Sequence, residues 1–401
     1  MLTQQGARSA FDKLLAKTHV QHALLQPDGR YNEIPGALAT LLFLDVAKER
    51  LRATYDAMNG DLAPWEPSPM SIEDEENKIR FLGDVRFQRA YMTYFSMDNN
   101  RFSGNAKALA VSHLFTGDRP LVFALFSGVG RPLTLLSDGI ELRTAVMVME
   151  SLTLSAIDWM EPMRDMLMQA QLAAPPSERL SPEDLIGRAG YDGRFSGVMK
   201  AGPGFHGLPY ILSNSTARAA IVEYIWCLDT NDLTLVLQQL SALSVLLSCG
   251  THKPGQPAFD YYLNRLPTCV NSTRVILENW IEERGHRELL VKGLWLLVIL
   301  AYITQLRPAI DGTLLVPPQE LVGQSRSWTS IYNEIRPQAM LEGGYDNFEL
   351  LRALRSLREL SRAYDTAHGR LYAHAARKLM DQWTGWTGLG IDREPMLNIR
   401  L

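Results

Sequence analysis

Apolar side chains recur at i, i+3 and i+4 through one segment after another of this chain, while alternating runs of strand length are nearly absent. A chain with that period buries its apolar stripes by packing helix on helix. Residues 36–58 (GALATLLFLDVAKERLRATYDAM) carry the pattern, with Asp45, Lys48, Glu49, Arg50 and Arg52 largely on the opposite face, and predict one amphipathic helix. A long helix is predicted over 139–172, broken near Pro162. Others are predicted over Ser213–Leu228, with a Ser/Asn-rich capping start, and over Asp229–Ser248, Phe259–Ile281, Glu288–Leu306, Asn347–Tyr364 and His368–Trp383. Pro/Gly-rich breaks at Leu62–Met70, Ala173–Pro182 and Gly250–Pro257 are short for interdomain linkers. No repeat of solenoid period is present. The expectation is an all-α fold, a single large multi-helix domain over 1–401.

The net charge of −4 lacks the basic excess of a nucleic-acid surface. Three cysteines (Cys227, Cys249, Cys269) in apolar surroundings, with no C-x-x-C, argue for core thiols in a reducing cytoplasm rather than for disulfides or thiolate zinc. The start MLTQQGARSAFDKLLAK has no apolar core, so no secretory signal is expected there. The longest apolar run, Gly293–Thr304, falls short of the roughly 20 residues of a membrane span and predicts a buried core helix.

The segment after Gly130 is the most distinctive. It reads Arg131-Pro132-Leu133-Thr134-Leu135, then Gly139-Ile140-Glu141, then an apolar helix carrying Glu150. It resembles the HP-aliphatic-aliphatic-H and G-aliphatic-E segment of the questin oxidase-like family. Other blocks follow in order. Asn32-Glu33-Ile34-Pro35-Gly36 stands where the family has N-H-x-x-H. Phe81-Leu82-Gly83, leading to Tyr91 and Tyr94-Phe95, is similar to its leucine-glycine turn and aromatic helix. Asp260-Tyr261-Tyr262-Leu263-Asn264-Arg265-Leu266-Pro267-Thr268-Cys269 stands for D-F-F-L-M-H-L-x-T-S, Gln305-Leu306-Arg307-Pro308 for Q-L-R-P, and His374-Ala375-Ala376-Arg377 for H-x-x-K. The resemblance implies a helical enzyme of aromatic-polyketide metabolism, one that cleaves anthraquinone-type rings oxidatively. It also implies that the histidines, and the lysine of the last block, help bind a non-haem iron.

The departures from that pattern are consistent. The positions matched to ligands are Glu33, Gly36, Arg131, Leu135, Arg265, His374 and Arg377, and only His374 and Glu33 retain a donor suited to a metal. A non-haem iron site needs at least three ligands, so no metal cofactor is expected. The remaining histidines (His19, His22, His113, His206, His252, His286 and His368) form no H-E-x-x-H and read as surface or core-edge residues. Glu150, among apolar neighbours, reads as an ion-paired carboxylate or one of raised pKa, with a catalytic role as the minority reading. Asp138 and Glu141 read as stabilising a helix start. Gly128-Val129-Gly130 lacks the third glycine of a dinucleotide fingerprint, and Gly202–Gly207 reads as a turn that leaves His206 near a pocket mouth.

If the family geometry holds, Glu33, Arg131, Arg265, His374 and Arg377 converge where iron would sit. His374 would then act as general base, with the arginines stabilising an enolate or phenolate. Tyr31, Tyr91, Tyr261, Tyr262, Trp295 and Tyr302 would face a flat aromatic or polyketide-like substrate, or else serve as packing core. The leading expectation is metal-free cyclisation, isomerisation or rearrangement. The alternatives are family-type oxidation and a non-catalytic binding relative in which the arginines merely pair with buried carboxylates. Neither a nucleic acid nor a membrane is expected as partner, and homo-oligomerisation is left open.

Overall fold

The computed structural model describes residues 2–174, 176–315, 328–338, 344–368 and 370–389, and among them every regular element is an α- or 3-10 helix. Only isolated bridges, such as His22 with Pro64 and Leu180 with Leu228, interrupt this all-α pattern. The chain forms two compact units, one of Met1–Asp165 with Ser272–Gly293 and one of Met166–Asn271 with Leu294–Leu401.

In the first unit, Leu2–Gln21, Ile34–Phe43 and Lys48–Asn59 pack on one another. The Ser127–Leu142 helix lies against Ile34–Phe43 and, most extensively, against Ala145–Ile157. Ala145–Ile157 is apolar nearly all round, as a central helix must be, and every residue from Met147 to Ile157 is buried. Gln88–Arg101 and Ala106–Phe115 cover it further. In the second unit, Leu233–Cys249 packs against Pro182–Tyr191, Tyr261–Asn264 and Leu371–Gln382, and the last of these packs on Gly344–His368. Leu294 to Ile303 is wholly buried, in keeping with the core helix read from its composition.

Several boundaries differ from expectation. Residues 36–58 form two helices, because Asp45 turns left-handed (φ 56°) between Ile34–Phe43 and Lys48–Asn59. A short polar side chain tolerates that conformation better than most. The 139–172 segment belongs to three helices. Gly139 lies inside Ser127–Leu142, whose end is closed by left-handed Arg143 (φ 52°) and by the Thr144 N–H donating to Gly139 O at 3.0 Å. Asp138 and Glu141 therefore sit near a C-terminus, where a carboxylate meets the negative end of the helix dipole, and the helix-start reading fails. His22 lies just past the end of Leu2–Gln21. Cys249 and Cys269 are core thiols, whereas Cys227 is half-buried. The Ser/Asn-rich start caps its helix, with Asn214 accepting from the Ala217 N–H, whereas the next helix begins at Leu233 rather than Asp229, with Asp232 accepting from the N–H groups of Thr234 and Leu235. No described helix is long and apolar enough to cross a membrane.

Candidate functional site

The Arg131 segment begins with an unusual backbone. Gly128, Val129 and Gly130 are successively left-handed, at φ 54°, 57° and 73°. Glycine adopts this freely, but β-branched Val129 does so only under strain. The turn brings Gly128 so close to the Tyr31 hydroxyl that a Cβ there would lie 2.5 Å from Oη. It also aims Arg131 inward. Arg131 Nη1 donates to Gly128 O at 3.0 Å, its Nε donates to Glu33 Oε1, and its guanidinium carbon lies 4.4 Å from the Tyr31 ring centroid. Tyr31 Oη donates to Asp158 Oδ2 at 2.9 Å. Burial, and secondarily the Asp158 charge, raise the Tyr31 phenol well above its ordinary pKa, so it stays a donor. Glu33 and Arg131 are both buried, and Gly36 and Leu135 are buried with no metal-binding atom to offer.

The second unit repeats the theme. Arg265, 2% exposed, donates from Nη1 to Glu349 Oε1, and Glu349 is equally buried. Its guanidinium lies 5.9 Å from the Tyr261 ring. Half-buried Arg377 reaches Asp381 Oδ2 at 3.4 Å, one turn along the same helix. His374, also half-buried, precedes Arg377 by three residues and so shares its face.

Thus Glu33 and Arg131 meet in the first unit, and Arg265, His374 and Arg377 belong to the second, where Arg265 takes Glu349 as partner. Glu349 and Asp158 were not singled out from sequence. They lie far along the chain from the residues they hold, and no local spacing points to them. The aromatic positions divide. Tyr31 and Tyr261 sit against arginines. Tyr91, Tyr262, Trp295 and Tyr302 are buried, Tyr91 Oη donating to Lys78 O at 2.6 Å and Trp295 Nε1 to Tyr224 O at 2.9 Å. The Gly202–Gly207 segment is a turn, with Gly202 and Gly204 both at positive φ, and His206 is half-buried. His368's side chain lies outside the described residues.

Glu150 has a histidine as its partner, with Oε1 2.9 Å from His19 Nδ1. Its Oε2, fully buried, has no hydrogen-bond partner among the described residues. Burial pushes the carboxyl up, outweighing the lowering by His19. A carboxyl raised in the folded state lends stability below its unfolded pKa and loses it as pH rises through the folded value. Glu150→Gln should therefore melt higher than the parent at pH 8, with the gap closing toward pH 4. Thermal melts across that range check this, and a pH-independent difference would refute it.

An iron bound as the resemblance implies would need donors that these positions lack. Arginine nitrogens are protonated and already face carboxylates, and no group of three or more His, Cys, Asp or Glu suited to a metal occurs among the described residues. The residues present do not fit the metal.

No curated protein matches the chain. The model of the questin oxidase-like family matches residues 31–356, which run through both units and include all the blocks above except the last. Over most of its length, this chain belongs to the questin oxidase-like family.

Proposed function

We propose that this chain is a tailoring enzyme of polyketide-like metabolism that works by acid–base chemistry rather than through iron. The observation that carries the reading is the set of arginine–carboxylate pairs at the family's ligand positions, Glu33 with Arg131 and Arg265 with Glu349. Each pair supplies fixed charge and directed N–H groups in a place where the family pattern has histidine. His374 accepts a proton from a phenolic or enolisable substrate, and Arg377, one turn away on the same face, stabilises the oxyanion that results. This role for His374 rests on its place one turn from Arg377 on the same helix face.

A second reading has its own support. Both pairs are buried on both sides, which is also what a filled and purely structural core requires, and it favours a non-catalytic binding relative.

The test joins elemental analysis of iron-supplemented protein, purified without chelator, to assays on aromatic polyketide intermediates with and without oxygen. Substoichiometric iron and oxygen-independent conversion that is lost in His374→Ala, with the melting curve kept, are expected. Stoichiometric iron or obligate oxygen consumption overturns the proposal in favour of family-type oxidation. Absence of any conversion favours the binding relative. Neither Arg265→His nor Arg377→Lys alone should acquire iron, because too few other ligands remain.

A further inference from the structure

Away from the arginine–carboxylate pairs and His374, the first unit holds a pocket of about 350 Å³. Its walls come from Glu75–Arg80, Gln88–Arg101 and Ala106–Phe115, with Thr116 and Gly117 closing one side. That volume falls within the range that holds small ligands. Gly117, at φ 85°, lets the backbone pass Glu75, since a Cβ would stand 2.9 Å from its Oε1.

Glu75, Lys78, Asp98, Arg101 and His113 meet there. His113 Nε2 lies 2.9 Å from Asp98 Oδ2, and Asp98 Oδ1 accepts from Arg101 Nη1 at 2.7 Å. Lys78, only 1% exposed, sets its Nζ 2.6 Å from Glu75 Oε1. Tyr94 and Phe95 meet the imidazole edge-on, at 5.8 and 5.0 Å between centroids, and fix its plane. A carboxylate takes a proton donor from a neutral imidazole, so Nε2 carries the hydrogen and Nδ1 the lone pair. Among the described residues nothing bonds Nδ1 or the Tyr94 hydroxyl, yet both side chains line the pocket. Burial and the nearby Lys78 lower the His113 pKa against the pull of Asp98, which keeps Nδ1 unprotonated. Burial pushes the Tyr94 phenol up to about 12, so its hydroxyl remains a donor.

The charges balance: Glu75 and Asp98 face Lys78 and Arg101. Such a pocket selects against a ligand that arrives as an anion. Tyr94 and Phe102 provide aromatic wall. We infer that this pocket binds a neutral one-ring phenol, with His113 as its proton acceptor and Tyr94 and Lys78 as the groups that hold the phenolate. The phenolic O–H bond breaks and an Nδ1–H bond forms, leaving an imidazolium that Asp98 stabilises and a phenolate held by the tyrosine hydroxyl and the ammonium. No oxidant or metal enters the step. A histidine–aspartate pair serving only to pack three helices would need neither the cavity nor the uncommitted Nδ1.

The probe is 4-nitrophenol, whose phenolate is yellow. It is titrated into the full chain at a pH below the probe's own ionisation. Binding with a rise in phenolate absorbance is expected. Tyr94→Phe, which keeps the ring and its packing, should weaken binding by about tenfold. His113→Gln should abolish the absorbance rise. Failure of the parent to bind, or binding without the rise, overturns the inference. So does a Tyr94→Phe variant that binds and ionises the probe as the parent does, a result that stands even if His113→Gln fails to fold.

Discussion

Glu349→Ala should destabilise the second unit by about 3–5 kcal/mol, the cost of stripping a buried charge of its partner. Arg265 and Glu349 are both nearly sealed from solvent, at 2% side-chain exposure for the arginine and 3% for the glutamate. Arginine cannot discharge itself by losing a proton, so the guanidinium that remains stays charged in an apolar setting. Its contact with the Tyr261 hydroxyl, at 3.4 Å, is too long to stand in for the carboxylate. Replacing both partners, Arg265→Met with Glu349→Leu, should recover most of the loss, because a buried pair contributes little net stability over well-packed apolar side chains. Denaturant unfolding followed by tryptophan fluorescence reads both effects. A single variant as stable as the parent would show that the pair is not buried as described. The double variant also bears on mechanism: conversion at the parent rate would remove Arg265 from any catalytic role and leave it as a packing residue.

Where sequence reading succeeded, the cause was local. Leu294–Ile303 is apolar on every side, and a helix of that kind has nowhere to go but the interior. Asn214 caps its helix from the position directly before it, within the Ser/Asn-rich start visible in the chain. The single helix expected over 36–58 failed at Asp45, since an apolar period continues in register across one left-handed residue and does not reveal it. The partners of Tyr31 and Arg265 were not legible. Asp158 is 127 residues from Tyr31, and Glu349 is 84 from Arg265, distances over which periodicity carries no information. His113 was read as a core-edge histidine. Its pairing with Asp98 depends on how two separate helices pack, and its relation to Lys78 on a third.

The strained turn before Arg131 yields the sharpest test of local geometry. Gly128→Ala places a methyl group 2.5 Å from Tyr31 Oη and 3.2 Å from Asp158 Oδ2, in a conformation that alanine already adopts at a cost. The loss should be about 2–4 kcal/mol, of which about 1 kcal/mol is the left-handed backbone. Gly104→Ala isolates that backbone share, because Gly104 is also left-handed (φ 75°) but has open space where its Cβ would stand. Tyr31→Phe isolates the rest. Without the hydroxyl the nearest atom is the ring carbon at 3.0 Å, so the double variant Gly128→Ala with Tyr31→Phe should lose less than the sum of the two single losses. Strict additivity would mean that Gly128 is kept for its backbone alone. Coupling would mean that the turn exists to bring the Tyr31–Asp158 bond against the chain. Since Gly128 O also accepts from Arg131 Nη1, any shift of this turn moves the guanidinium that faces Glu33, and a local clash becomes a change in the buried Arg131–Glu33 pair.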